Sequence, residues 1–249
     1  MTRLRSFTAG GATLVIERRG GGHAAYLLVH GIGMGRGVFG DLIGLLDAAA
    51  EVVALDLPGY GEAPEPARVL TMERTADVIA AYLRAHVDEP VIAVGHSMGA
   101  QIVLELAVRH RELVRALVLV GPSGDPSARS ALHQIGRIVR DILGENPRVI
   151  GLGGREYLRA GPHLRGKFRA MLTHRPEDVL HRVAVPTLVL RGENDRVAPR
   201  AWCERIVAGI PDARLEQVPD RRHETMIRDA APAVALIERF VRSLPALPA

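Results

Sequence analysis

"VIAVGHSMGAQIVLELA", Val91 to Ala107, decides the fold. Its first four residues are apolar without in/out alternation, the pattern of a strand covered on both faces. From Met98 onward Ile102, Val103, Leu106 and Ala107 recur at helical spacing. Between strand and helix lies Gly95-His96-Ser97-Met98-Gly99. A strand that turns directly into a helix brings the two backbones almost into collision, so positions two residues either side of the serine must be small. The same turn lifts the serine hydroxyl above the carboxyl end of the sheet. It also sets the Met98 N–H at a helix N-terminus, where a negative oxygen is stabilised. Gly-x-Ser-x-Gly alone is moderately specific; between a buried strand and a long amphipathic helix it predicts a presented nucleophile.

Outward from this turn, short apolar runs recur at Ala12–Glu17, Tyr26–Val29, Val52–Leu55, Leu117–Val120, Thr187–Leu190 and Leu215–Val218. Helical stripes lie between them over Val38–Ala50, Thr71–His86 and Met98–His110. Such alternation predicts a mainly parallel sheet with helices on both faces, an α/β fold. Phe7–Ala9 and Ala12–Glu17 flank Gly10-Gly11 and read as an antiparallel hairpin at the sheet edge. After Val120 the alternation breaks. Ser130–Leu143, Gly154–Ala160 and His163–Thr173 are helical stripes punctuated by Gly and Pro. Residues 122–185 are therefore expected to form a helical cap, with 1–121 and 186–249 as the core.

At 249 residues with 47% hydrophobic content the chain can bury a large core. Cys203 is its one cysteine, so no intrachain disulfide forms, and a packing role is expected for it. Met1–Gly11 has no apolar leader core, and no stretch reaches 18 uninterrupted apolar residues. The expectation is a soluble, cytoplasmic protein with no membrane span and no nucleic-acid partner. The formal charge of +4 is concentrated: Pro122–Ala184 holds eleven Lys/Arg against six Asp/Glu, leaving the remainder near neutral. A solvated, arginine-rich surface explains this; attraction of an anionic substrate or acidic carrier is the sharper alternative.

Five stretches carry a resemblance to the α/β-hydrolase superfamily: "LLVHGIGMG" (Leu27–Gly35), "ALDLPGYGEAP" (Ala54–Pro64), "VGHSMGA" (Val94–Ala100), "LRGENDRVAP" (Leu190–Pro199) and "VPDRRHETM" (Val218–Met226). The likeness spans essentially the whole chain and implies an eight-stranded-type sheet and serine-esterase chemistry. A serine hydroxyl needs a base. His23, His110, His163, His174 and His181 read as solvated, and His86 and His133 lie on helices. His30 ends a strand; similar proteins use it to brace the oxyanion loop. His96 adjoins the serine, but neighbouring side chains in such a turn are expected to diverge. His223, on a loop beyond the last apolar run, stands where the family keeps its base. Asp195 matches the family's acid, with Glu193 and Asp125 as alternatives. By the same likeness Ile32 and Met98 supply the oxyanion N–H groups. Two departures stand out: Arg222 replaces the usual Gly before the base, and Glu62 occupies a position where Ser or Arg is common.

The implied function is hydrolysis of a carboxylic ester, thioester or lactone through Ser97, His223 and Asp195. The small-molecule acyl substrate is either free or, given the basic segment, anionic or carrier-bound. Carbon–carbon bond hydrolysis of a vinylogous diketone, and a non-hydrolytic binding or cyclising role on the same fold, are the alternatives. Met34, Ile138, Tyr157, Phe168 and Met171 are the expected pocket residues, although core packing explains such stripes equally well. Gly35-x-Gly37-x-x-Gly40 matches a dinucleotide fingerprint, but five residues separate it from the strand, where the first glycine should close the strand directly. No His/Cys/carboxylate set has metal-ligand spacing, so no metal or other cofactor is expected.

Overall fold

Strands β3 (Ala25–Val29), β5 (Val91–His96) and β7 (Thr187–Gly192) are buried at every residue. A computed structural model of the chain, describing residues 4–22, 25–128, 163–227 and 229–246, accounts for this burial by layers on both sides. Successive side chains of a strand point to opposite faces. Leu27, Val29, Val91, Ala93, Leu117, Leu119 and Val189 enter one core with helices α2 (Met72–His86), α3 (Met98–Arg109) and α5 (Arg200–Gly209). Tyr26, Leu28, Ile92, Val94, Val118, Val120, Leu188 and Leu190 enter the other, under α1 (Gly40–Leu46) and α6 (Ala231–Arg242).

The sheet has eight strands in the order β1 (Arg5–Ala9), β2 (Ala12–Gly20), β4 (Glu51–Asp56), β3, β5, β6 (Val114–Val120), β7 and β8 (Ala213–Val218). β1 and β2 pair antiparallel as the predicted hairpin, and β2 also runs antiparallel to β4; the remaining pairings are parallel. The eight-stranded, mainly parallel sheet with helices on both faces is thus the expected fold. One helix differs from expectation. Val38–Ala50 divides into a 3₁₀ turn over Arg36–Phe39 and the short α1, and ends before Ala50. Gly40 and Gly44 lower helix propensity there, and the apolar stripe marks packing more than helix length.

Helix α4 (Leu164–Thr173) falls on the predicted stripe His163–Thr173. Met171 is buried in the first core and Phe168 packs against it. The Lys167 ammonium, 5% exposed, donates to the Gly59 carbonyl and to Glu65 Oε2 (2.8 Å), and lies 4.3 Å above the Tyr60 ring. The stripes Ser130–Leu143 and Gly154–Ala160, with Ile138 and Tyr157, lie outside the described residues.

Candidate active site

Parallel register aligns the carboxyl ends of the central strands. Val29 pairs with Gly95, Gly95 with Leu119, and Leu119 with Val189. The segments that follow, at His30–Gly35, Ser97, Gly121 and Asp195, therefore emerge along one edge, the position at which open α/β sheets bind ligands. Ser97 sits between β5 and α3 with φ 54° and ψ −112°, a left-handed conformation unusual for a residue with a Cβ. Its N–H donates to the Val120 carbonyl (2.9 Å). The flanking glycines are explained by contact: a Cβ on Gly99 would collide with the Val29 carbonyl, and one on Gly95 with the Gly99 carbonyl and Val103. Nothing larger fits either position.

His223 Nδ1 and Asp195 Oδ2 are 3.0 Å apart. Asp195 is 3% exposed, and its other oxygen accepts the Val197 and Ala198 N–H groups, each at 2.8 Å. Burial opposes ionisation, but His223 and these bonds hold the carboxyl below its usual range. Since Oδ1 is saturated by donors, Oδ2 remains to accept from His223, which places the imidazole proton on Nδ1. Buried Arg191 braces this loop from β7, donating to the Asp195 and Ala198 carbonyls (3.0 and 3.2 Å) and to Gln217 (2.8 Å). Gly121 leaves room for the pair: a Cβ there would stand 3.0 Å from His223 Nδ1 and 3.1 Å from Asp195 Oδ2.

The alternative acids have other partners. Asp125 Oδ1 accepts the Ser127 N–H (2.9 Å) and its Oδ2 the Ser127 hydroxyl (2.7 Å). Glu193, exposed, accepts the Asp220 N–H (3.1 Å). Glu62 is the surface partner of Arg36 (2.8 Å), whose guanidinium and backbone N–H both reach buried Asp56. The Glu62 departure therefore serves the loop that carries Ile32.

That loop is held by His30, which is fully buried. It accepts the Leu57 N–H on Nε2 (3.1 Å) and donates Nδ1–H to the Gly31 carbonyl (2.7 Å). Among the described residues the Ile32 and Met98 N–H groups donate to no protein acceptor, so both are available to a ligand. Met98 is buried, with its sulfur 3.7 Å from the Tyr60 hydroxyl. A small cavity beside it is lined by Tyr60, Met72, Met98, Ile102 and Lys167, among others. Of the expected pocket residues, Met34 packs against the second core, while Phe168 and Met171 belong to the first; none of these three lines this cavity.

Two features escaped sequence reasoning. His174, expected to be solvated, is buried. Its Nε2 meets Glu105 (2.8 Å) and its Nδ1 meets the Gln101 amide oxygen (3.1 Å), while Gln101 donates to Ser123 (3.0 Å). With Glu73 these form a His/carboxylate cluster, although no local spacing announces it. The cluster joins the end of α4 to α3 through the contacts of His174 with Glu105 and Gln101. His96 is the second: its ring centroid lies 4.9 Å from that of His223, a proximity that its place beside Ser97 in the sequence does not announce. Cys203 is buried, and burial pushes its thiol up to about 12, as a packing residue requires.

Burial lowers His30 to about 4 and His96 to about 3, from 6.5. The folded state then excludes protons that the unfolded chain takes up, so stability falls as pH drops from 6.5 toward 4. The slope grows toward one proton per histidine as the unfolded chain's imidazoles become fully protonated. Urea unfolding midpoints at pH 7, 6 and 5 should decrease accordingly, and His96→Phe should flatten the slope by one proton.

Together the fold and this edge define a class. The chain belongs to the Alpha/beta hydrolase family, whose family model matches residues 26–237. A pimeloyl-[acyl-carrier protein] methyl ester esterase of Neisseria meningitidis serogroup A is 28% identical, covering 87% of this chain and 76% of that protein. A 2-hydroxy-6-oxo-6-(2'-aminophenyl)hexa-2,4-dienoic acid hydrolase of Metapseudomonas resinovorans is 27% identical, covering 90% and 85%. The solved structure of a thermophilic esterase from Thermogutta terrifontis matches with a TM-score of 0.83 at 24% identity, covering 97% of this chain and 98% of that one; this likeness bears on the fold. The chain is a hydrolase of this family. No helix among the described residues is long and apolar enough to cross a membrane.

Proposed function

We propose that the protein hydrolyses carboxylic esters, Ser97 acting as nucleophile, His223 as base and Asp195 as the acid that orients it. The Asp195–His223 hydrogen bond at the edge where Ser97 emerges carries this reading. Ser97 Oγ attacks the acyl carbon while His223 Nε2 takes its proton. The Ile32 and Met98 amides receive the oxyanion, each contributing about 3 kcal/mol to barrier lowering. His223 then protonates the departing alcohol, and water repeats the sequence to release the acid. Residues 163–185, a described part of the segment expected as a cap, cover this edge on the proposed reading; Lys167, reaching down to Gly59 and Tyr60, supports it.

The named esterase relative favours an acyl group borne on an acyl-carrier protein, and the basic surface of this segment suits an acidic one. Arg165, Arg169 and Arg175 are exposed, and carry no ion pair among the described residues. Raising salt from 50 to 500 mM should then raise KM several-fold for a carrier-linked methyl ester and leave KM for p-nitrophenyl butyrate unchanged. Equal salt response of both substrates would count against the carrier. A second reading, carbon–carbon bond hydrolysis of a vinylogous diketone, is favoured by the Metapseudomonas relative. Turnover of p-nitrophenyl esters of graded acyl length, beside a dienoic diketone substrate, separates the two. Fluorophosphonate labelling of Ser97, absent in Ser97→Ala, tests the nucleophile itself.

A further inference from the structure

His96 ends β5 immediately before Ser97 and has no exposed surface. The five residues before it in the strand are Val91, Ile92, Ala93, Val94 and Gly95, and an apolar side chain would suit the position better than an imidazole. Its Nδ1 has no hydrogen-bond partner among the described residues and faces Gly31, where a Cβ would come within 3.2 Å. Burial, and next the neighbouring His223, keep the ring neutral. Its polar contact is with the backbone of His223, whose carbonyl oxygen lies 3.0 Å from Nε2. A carbonyl only accepts, so the His96 proton is on Nε2, which leaves Nδ1 bare. The residues around His223 are anchored elsewhere. The Arg221 carbonyl accepts the Asn194 N–H (2.8 Å), the Arg222 carbonyl accepts the Thr225 hydroxyl (2.7 Å), and the Arg221 guanidinium pairs with Asp229. Those ties lead to the loop after β7 or back into the same loop. The His96 bond leads to the strand that carries Ser97.

We propose that His96 is a positioning residue, its Nε2–H···O=C bond to His223 setting how far the base-bearing loop stands from the Ser97 hydroxyl. This rests on Ser97 and His223 being nucleophile and base. The polar ring is retained in an apolar strand because it links two elements 127 residues apart. A displacement near 1 Å between such groups costs about 100-fold in rate.

The test compares His96→Phe, which keeps a flat ring and removes the donor, with His96→Gln, whose amide N–H restores one. For p-nitrophenyl acetate, His96→Phe should lower kcat about 10- to 100-fold with KM within about twofold. His96→Gln should recover most of that loss, and thermal melting should show both variants folded. A merely structural role would make the two variants equally impaired. If His96→Phe does not fold, His96→Asn replaces it, because its amide stops short of the carbonyl. Equal kcat for wild type and folded His96→Phe, with wild-type Ser97 labelled by fluorophosphonate, overturns this inference alone. Wild-type protein that labels no better than Ser97→Ala overturns the nucleophile assignment and the inference with it.

Discussion

Ser97→Ala is expected to reduce kcat for ester hydrolysis by about 10⁵-fold or more while leaving the fold intact. The hydroxyl is, on the proposed mechanism, the atom that forms the acyl-enzyme. The Ile32 and Met98 amides and the rest of the site survive its loss and sustain only residual catalysis. The substitution removes one oxygen from a 6% exposed residue and makes no cavity of consequence. Ser97→Gly should be equally inactive but more stable. At φ 54° and ψ −112° any residue with a Cβ is strained by roughly 1–3 kcal/mol, and glycine relieves most of this. Relative to Ser97→Ala, a rise in melting temperature of about 2–4 °C is expected. A Ser97→Ala protein that still turns over p-nitrophenyl esters within tenfold of wild type would falsify the nucleophile assignment.

Asp195→Asn should cost about 10⁴-fold in kcat with KM nearly unchanged. Asp195 Oδ1 accepts two N–H groups, from Val197 and Ala198. An amide NH₂ cannot face two donors, so the asparagine oxygen must take that side. Its NH₂ then faces His223 Nδ1, which has to become an acceptor. The imidazole proton moves to Nε2, the nitrogen that should receive the serine proton, and the base is disabled without displacement. Asp195→Ala, by contrast, strands the Val197 and Ala198 amides and should lose stability as well, by about 1–3 kcal/mol per unsatisfied group. Measuring kcat and urea midpoints for both variants separates tautomer control from loop collapse. Unaltered kcat in Asp195→Asn would return the acid role to Asp125 or Glu193.

Much of the fold was legible because its signals are local. A strand covered on both faces must be apolar throughout, and Tyr26–Val29, Val91–Val94 and Thr187–Leu190 say so directly. The boundaries were less legible. β6 starts at Val114, three residues before the apolar run Leu117–Val120, because half-buried Arg115 interrupts the pattern without ending the strand. The stripe from Val38 overstated α1, since packing against the sheet requires apolar residues in a 3₁₀ turn as much as in a helix. At the candidate site, the glycines around Ser97 were readable because the collision they avoid lies within a few residues or against the adjacent strand. His174 was misjudged: its neighbours in sequence are polar, and the groups that bury it, Gln101 and Glu105, lie on α3, about 70 residues earlier.

By itself the sequence determined the strand–helix alternation, the tight turn at Ser97 and the chain order Ser97, Asp195, His223. Hydrophobic period and turn chemistry act over a few residues, so they can be read without knowing what packs on what. Only the tertiary structure decided which carboxylate meets His223, what Arg191 braces, and that His96 meets His223. Those choices depend on strand order and register, which bring together groups 28 and 127 residues apart along the chain and cannot be computed from either neighbourhood alone.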